Sequence, residues 1–302
     1  SVPQVVVENT RIAMAEMAAA FYGYPARGMR IVGVTGTNGK TSTTYMLKAI
    51  AEQCGLKVGL IGTIRNLIGE RIVDTERTTP ESVDLQRILR EMKDEGVELV
   101  VMEASSHSLD QRRVHGIEFE TAVFTNLTQD HLDYHKTFEN YLAAKMRIFA
   151  QARQAVVNRD DPHAQTILNG LTIPCKTFGI REQADISASE IDITTRGVQF
   201  DMHCPLGTIR MYVPIPGLFS VFNAMGAAAA AIQLGLPLSA VKNGIETMGS
   251  VSGRLEPLPT GGRNFTVLLD YAHTPDALEN ILKTARGFAE GRIVTLFGCG
   301  GD

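Results

Sequence analysis

Seven residues, Thr35-Gly-Thr-Asn-Gly-Lys-Thr41, fall between a short apolar run at 30–34 and a helical pattern at 42–53. A strand, a glycine loop and a helix in immediate succession can bind phosphate. The N–H groups of Gly36, Thr37, Asn38 and Gly39, and those opening the helix at Ser42, would point at the anion. Lys40 then reaches the β- and γ-phosphates, and the Thr41 hydroxyl is available to Mg²⁺. The usual pattern has Gly five residues before Gly39, where this chain has Val34. Gly-Lys-Thr alone is common by chance; its position between strand and helix is what points to a nucleotide.

Other polar groups follow apolar runs in the same way. Glu103 comes directly after the run 97–102. An acidic residue at the end of a parallel strand beside a phosphate loop commonly holds Mg²⁺, with a helix cap or surface ion pair as the alternative. After the run 122–125, Asp130, His131, Asp133 and His135 crowd into the stretch 126–135. No cysteine is near, which disfavours structural zinc. A mainly oxygen shell for Mg²⁺ completed by one imidazole fits better, and spacing does not decide which histidine supplies it. Thr78 and Thr79, ahead of Pro80, could cap a helix or hold an anion. Ser105, Gln111 and Arg113 follow Glu103, and arginine suits bidentate recognition of carboxylate or phosphate. Lys145, taken alone, reads as a surface lysine or a phosphate contact. Since these clusters follow strand ends, they are expected to form one site.

The elements that must position them are strands at 30–34, 57–61, 97–102, 122–125 and 155–158, alternating with helices at 42–53, 81–94 and 138–149. That alternation predicts an α/β fold, a mainly parallel buried sheet carrying the P-loop-like stretch. Three further strands at 186–194, 197–204 and 208–213 lack intervening helices and predict a small antiparallel edge sheet. Helices are expected at 224–234 and 238–248, and a boundary at 249–262. Beyond it, strands at 265–270 and 292–297 flank a helix at 275–288 and precede a glycine loop at 298–302. One such unit cannot bury both faces of a parallel sheet, so the chain reads as a fragment.

With 302 residues, 44% hydrophobic and 21% charged, the chain is long enough for one large or two smaller cores. Its charge of −4 argues against a general nucleic-acid binder. No apolar stretch approaches the roughly 18 residues of a membrane span. Four scattered cysteines (Cys54, Cys175, Cys204, Cys299) fit a reduced cytoplasmic protein.

Taken together, the motifs resemble the Mur ligase family, ATP-dependent enzymes that build the peptide stem of cell-wall precursors. The resemblance is carried by the loop 35–41, Thr78-Thr-Pro-Glu81, Glu103-Ala-Ser-Ser-His107 with Gln111 and Arg113, and the stretch 126–135. Ala144-Lys-Met-Arg147, Gly217 to Asn223, Gly253-Arg-Leu-Glu256, Asp270 to Pro275 and Gly298 to Asp302 extend it. The combination points to the member that adds the third residue, to UDP-N-acetylmuramoyl-L-alanyl-D-glutamate.

This resemblance implies three domains. Residues 1–25 would be the lead-in from a missing N-terminal domain, 26–252 the central ATP-binding domain, and 253–302 the truncated beginning of a Rossmann-like ligase domain. The fragment alone would not turn over. Lys40 and Thr41 would hold ATP phosphates and Mg²⁺, with Glu103 and His131 as further Mg²⁺ ligands. Lys145 would be N-carbamylated and bind a second Mg²⁺. Thr78, Thr79, Ser105, Gln111 and Arg113 would contact the muramoyl-dipeptide, while Asn223, Arg254 and Asp270 would grip the nucleotide. Many members have Asn where this chain has Arg77, which touches one substrate contact. The implied partners are the UDP-dipeptide and an amino acid, meso-diaminopimelate favoured over lysine, taken by a monomer. A folylpolyglutamate synthase-like ligase, a P-loop kinase and a non-catalytic nucleotide-binding scaffold are the alternatives.

Overall fold

The computed structural model describes residues 4–74 and 77–298. Helix α1 (Thr10–Phe21) is capped by Asn9, whose side chain accepts from the Arg11 and Ile12 N–H groups. β1 (Arg30–Thr35) leads through the glycine loop into α2 (Lys40–Glu52). β2 (Val58–Ile61) is followed by a hairpin of β3 (Asn66–Ile68) and β4 (Arg71–Val73), then α3 (Ser82–Asp94). β5 (Leu99–Glu103), α4 (Ser106–Asp110) and β6 (Phe119–Phe124) come next. α5 (Leu132–His135) and α6 (Phe138–Met146) precede β7 (Ala152–Asn158), α7 (Ala164–Gly170) and β8 (Cys175–Gly179). β9 (Ile186–Thr194), β10 (Gly197–Cys204) and β11 (Gly207–Val213) lead to α8 (Leu218–Gln233) and α9 (Leu238–Thr247). β12 (Glu256–Leu258), β13 (Val267–Leu269) and α10 (Pro275–Phe288) complete the described elements.

Among the described residues, eleven strands form one sheet in the order β11-β10-β9-β8-β7-β6-β1-β5-β2-β3-β4. Pairing is parallel from β9 through β2. Antiparallel strands close the two edges, β10 and β11 on one side and β3 and β4 on the other. β1 lies between β5 and β6, with Val34 opposite Glu103 and Thr35 opposite Phe124. The phosphate loop, Glu103 and the segment from Thr125 therefore emerge side by side at the carboxyl edge, where open α/β sheets bind ligands.

Both sheet faces are covered, which is why the central strands read as nearly continuous apolar runs. Val32, Val34, Leu99 and Val101 face a core completed by Met46, Leu47 and Ile50 of α2, by the alanines of α8, and by Val241 and Ile245 of α9. Ile31, Val100 and Met102 point the other way, towards Leu85, Leu89 and Met92 of α3 and Tyr141 and Leu142 of α6. Five consecutive buried alanines, Ala227 to Ala231, let α8 lie close to both the sheet and α2. At Gly244 an added Cβ would stand 2.5 Å from Ile50 Cα, so the backbones of α9 and α2 touch directly.

The parallel sheet and the antiparallel edge agree with the expectation from sequence, with differences in detail. β8 and the β3–β4 hairpin were not anticipated, being short and carrying polar residues such as Lys176, Thr177 and Arg71. β9 pairs with β8 in parallel, so the antiparallel strands expected at one edge extend the main sheet. Helix α8 begins six residues earlier than expected, straight after Gly217, whose φ of 105° makes the turn from the preceding extended segment.

The unit after 253 is the main correction. Its strand is only Val267–Leu269, and it pairs antiparallel with Glu256–Leu258, within the segment expected as a boundary. Residues 292–297, expected to supply a strand, have no regular structure, and Val294, Leu296 and Phe297 are exposed. A strand exists only through hydrogen bonds to a neighbour, and none of the described strands pairs with this segment. Residues 299–302 of the expected glycine loop lie outside the described residues.

Candidate active site

The glycine loop is shaped by close approaches. Gly36 (φ 144°) and Gly39 (φ 85°) have backbones that side chains rarely adopt. A Cβ at Gly36 would lie 1.9 Å from Thr125 Oγ1, and one at Gly39 2.2 Å from Asn223 Oδ1, so Asn223 of α8 sits against the loop. The residues after β6 staple it from beneath. Thr37 N–H donates to Asn126 O (2.8 Å), Asn38 N–H to Asn126 Oδ1 (2.9 Å), and Thr125 Oγ1 to Asn38 O (2.6 Å). Lys40 Nζ curls back over the loop to Gly36 O (3.0 Å) and Thr37 O (2.8 Å). Burial pushes its pKa down, against the pull of Glu103. Ser42 is buried in the first turn of α2.

Glu103, fully buried at the end of β5, is the next node. Its Oε1 accepts from the Thr41 hydroxyl and from Thr63 N–H, both at 3.0 Å, and its Oε2 lies 3.0 Å from Thr63 Oγ1. Gly62 gives it room: a Cβ there would come within 2.5 Å of Oε1. Thr63 Oγ1 is also 3.0 Å from Thr78 Oγ1. Thr79 Oγ1 donates to the Glu103 carbonyl (2.8 Å) and receives Ser105 N–H (3.2 Å). Arg113, almost fully buried, donates to Thr79 O (3.0 Å) and Gln111 Oε1 (2.6 Å) and pairs with Glu81 (3.1 Å). Arg77 and Arg11 reach the same Glu81 carboxylate at 3.2 and 2.7 Å, leaving this corner cationic. The dipeptide-contact residues expected from sequence thus stand together, one hydroxyl away from the phosphate loop.

On the other side of the loop lies Lys145, 2% exposed on α6. Its Nζ donates to Gly36 O at 2.8 Å and sits 4.3 Å above the Tyr141 ring. Burial and the neighbouring Lys40, which shares the same carbonyl, hold its pKa well below the usual ammonium range. His131, in a left-handed conformation (φ 52°), stacks edge-on to His107 at 4.7 Å and faces Asp130 at 3.3 Å. Burial lowers its pKa despite that carboxylate. His135 donates to or accepts from Ser106 Oγ (3.0 Å), and burial drives it down to about 4.

Arg254 and Asp270 approach from the segment beyond α9. Arg254 Nη2 donates to Thr41 Oγ1 at 3.0 Å. Asp270 accepts from Leu255 N–H (2.8 Å) and Ala272 N–H (2.7 Å), fixing the turn that aims Arg254; burial raises its pKa.

Among the described residues no three His, Cys, Asp or Glu side chains converge as a metal cage. The four expected ligands divide instead into Thr41 with Glu103, and Lys145 with His131 around Tyr141. The buried carboxylate–hydroxyl pair is an all-oxygen set suited to a hard cation that keeps other ligands from phosphate and water. Thr63 and Tyr141, whose hydroxyl meets Thr37 Oγ1 at 3.1 Å, were not singled out from sequence. Thr63 could have been, because it follows β2 just as Glu103 ends β5.

A parallel sheet with a glycine loop at its carboxyl edge, backed by a buried lysine and carboxylate, defines a phosphate-loop nucleotide-binding protein. More narrowly, residues 34–231 match the Mur ligase middle domain and 253–302 the Mur ligase glutamate ligase domain, and the chain belongs to the Mur ligase family. It is 46% identical over 300 residues to the UDP-N-acetylmuramoyl-L-alanyl-D-glutamate–2,6-diaminopimelate ligase of Clostridium botulinum, covering 99% of this chain and 62% of that protein. A solved structure of a UDP-N-acetylmuramoyl-L-alanyl-D-glutamate–2,6-diaminopimelate ligase superposes with a TM-score of 0.79 at 32% identity, over 96% of this chain and 61% of that one. Folylpolyglutamate synthase from Mycobacterium tuberculosis, complexed with ADP and AMPPCP, shares the fold alone: TM-score 0.77, 20% identity, 91% of this chain and 70% of that one. The chain therefore spans just over three-fifths of the length of such relatives (62%).

Proposed function

We propose that this chain belongs to an ATP-dependent acid–amino-acid ligase acting on UDP-N-acetylmuramoyl-L-alanyl-D-glutamate. The reaction adds meso-diaminopimelate to the D-glutamate γ-carboxylate and releases ADP and phosphate. The observation that carries this reading is the unbroken polar connection from Thr41 through Glu103 and Thr63 to Thr78, and through Thr79 to Arg113. It sets a phosphate loop beside a cluster of three arginines, Arg11, Arg77 and Arg113. Attack of a carboxylate on a γ-phosphoryl group needs that juxtaposition. Similarity to ligases named for this reaction supports the choice of acceptor and of diaminopimelate over lysine.

In this reading the carboxylate oxygen attacks the γ-phosphorus and ADP leaves. The resulting acyl phosphate is then attacked by the amine, which displaces phosphate. Lys40 offsets charge on the transferring phosphoryl, while the Thr37 and Asn38 N–H groups, expected to face the anion, are given to Asn126 and hold the loop in shape instead. Thr41 and Glu103 would hold one Mg²⁺, with His131 as a further ligand on the Lys145 side, and the metal would supply further charge compensation. Thr78, Thr79, Ser105, Gln111 and Arg113 seat the dipeptide. Asn223, Arg254 and Asp270 hold the nucleotide side. Lys145, where burial favours the neutral amine, is the group that would add to CO₂, lose a proton and become a carbamate able to bind a second Mg²⁺. Residues 26–252 would be the ATP-binding domain, 253–302 part of the amino-acid-delivering one, and 1–25 the lead-in from a preceding domain. No helix of the described residues is long and apolar enough to cross a membrane. A cytoplasmic monomer that binds no nucleic acid completes the reading.

Mass spectrometry of products tests it, using the full-length protein with the UDP-dipeptide, ATP, Mg²⁺ and either meso-diaminopimelate or lysine. A UDP-tripeptide with ADP and phosphate is expected. A phosphate ester would make the protein a kinase, and folded, ATP-binding protein that forms no product would make it a scaffold.

A further inference from the structure

Asn126 pins the phosphate loop with three contacts. Its Oδ1 receives the Asn38 N–H, its Nδ2 donates to Asn38 O at 3.1 Å, and its carbonyl receives the Thr37 N–H. What holds Asn126 itself lies one strand further out, at the end of β7. The β6–β7 pairing ends with Phe124 opposite Val157, and beyond it two side chains take over from the backbone. Asn158 Nδ2 donates to Thr125 O (2.8 Å), and Asp161 Oδ2 receives the Leu127 N–H (2.7 Å). The first of these groups belongs to the peptide plane before Asn126 and the second to the plane after it. Both planes that set the φ and ψ of Asn126 are therefore clamped. The clamp has a fixed base. The Asp161 side chain is 2% exposed, and its Oδ1 receives the His163 N–H at 2.8 Å. Asp160 receives the N–H groups of Ile180, Arg181 and Glu182, which tie the turn to the segment after β8.

We propose that Asn158 and Asp161 are positioning residues for nucleotide binding, acting on the phosphate loop through Asn126. Among the described residues neither side chain bonds to the loop itself. Without the Asp161 carboxylate the buried Leu127 N–H would lose its acceptor, and the segment 125–127 would move to find another, taking Asn126 with it. The Thr37–Asn38 stretch would then lose the shape that Asn126 imposes. A loop already held in its binding shape costs less to order when a nucleotide arrives, so the clamp contributes to affinity without touching the ligand. This rests on the reading of the loop as the ATP site.

Calorimetry on the full-length protein tests this with β,γ-methylene ATP and, separately, with UDP-N-acetylmuramoyl-L-alanyl-D-glutamate in the absence of nucleotide. Asp161→Leu, close in size but without acceptors, should bind the ATP analogue about 10-fold more weakly, as expected for one lost hydrogen bond, and the UDP-dipeptide as wild type does. Asp161→Asn keeps an oxygen for the Leu127 N–H and can turn its amide towards His163 Nδ1, so it should recover most of the affinity. Asn126→Ala should lose a similar factor. Combined with Asp161→Leu the loss should stay near 10-fold, because the two residues act along one line. A combined loss near 100-fold means independent action and overturns the proposal. Unchanged affinity for the analogue overturns it too, as does an equal loss for the UDP-dipeptide, the mark of general loosening. If Asp161→Leu does not fold, Asn158→Ser carries the same comparison: it is too short to reach Thr125 O but can still accept the Asp160 N–H. If wild type binds no ATP analogue, the nucleotide reading fails by itself, and amide hydrogen exchange decides the positioning. Selectively faster exchange at Thr37 and Asn38 in the variants supports it, and unchanged exchange at those two residues overturns it.

Discussion

Two lysines, Lys40 and Lys145, point their ammonium groups at one carbonyl, that of Gly36. Both are desolvated, and Lys40 further lowers the tendency of Lys145 to hold a proton, while Glu103 works against the effect of burial at Lys40. Their chemistry should therefore differ. Lys40→Ala is expected to lower kcat for ligation by about 10²–10³, the cost of one preorganised donor to a developing charge, in a steady-state assay of phosphate release. Lys145→Ala should also abolish turnover, yet recover part of it with short carboxylic acids that replace the carbamate; failure of every such acid to rescue would remove the carbamate from the mechanism. His135 gives a pH signature independent of turnover. Its folded pKa is about 4, below the unfolded value near 6.5, because burial disfavours the imidazolium. Between those values the unfolded chain takes up a proton that the folded chain refuses, so stability falls as pH drops from 6.5 towards 4. Melting curves should show that fall, and His135→Gln should flatten it.

At the scale of elements, what matters is where two backbones are forced together. The loop between β1 and α2 is held in place by Thr125 and Asn126 from the end of β6, not by its own side chains alone. Gly36→Ala would drive a methyl into Thr125 Oγ1. Nucleotide affinity should drop sharply, by titration with a non-hydrolysable ATP analogue, while circular dichroism retains the overall fold. Gly244→Ala tests a different contact, the crossing of α9 on α2 at Ile50. Overpacking of this kind costs about 1–3 kcal/mol, and denaturant unfolding should show it with the slope unchanged. The glycine at 244 looks unremarkable in sequence, since nothing local to α9 announces that another helix lies against it.

Across the whole molecule, the segment beyond α9 is tied to the phosphate loop by one long reach. Arg254 spans from the turn at 253–255, braced by Asp270, to the Thr41 hydroxyl. A bound nucleotide at the loop would thus be sensed by this segment. Arg254→Ala should weaken ATP binding about 10–100-fold, as loss of a charge-assisted hydrogen bond implies, and Asp270→Ala should do the same indirectly by loosening the turn. Binding measured without the dipeptide separates this effect from substrate recognition.

Much of this molecule is written locally. Ile31, Val32 and Val34, ending at a glycine-rich loop and then a helix, specify strand, turn and helix because each step depends on neighbours in the chain. The alternation of such units is enough to require a parallel sheet with helices on both faces. Polar residues after strand ends mark the carboxyl edge for the same reason: every parallel strand delivers its next residues to the same side. What the chain order leaves open is which strands are neighbours. Only the placement of β1 between β5 and β6 puts Thr41 against Glu103 and Asn126 under Asn38. Only the adjacency of β2 and β5 brings Thr63 to the same carboxylate. The unpaired segment 292–297 shows the converse, an apolar run with strand character that forms no strand. Strand pairing and the bracing of one loop by another are properties of groups far apart in sequence, fixed by hydrogen bonds that exist only once the sheet is assembled.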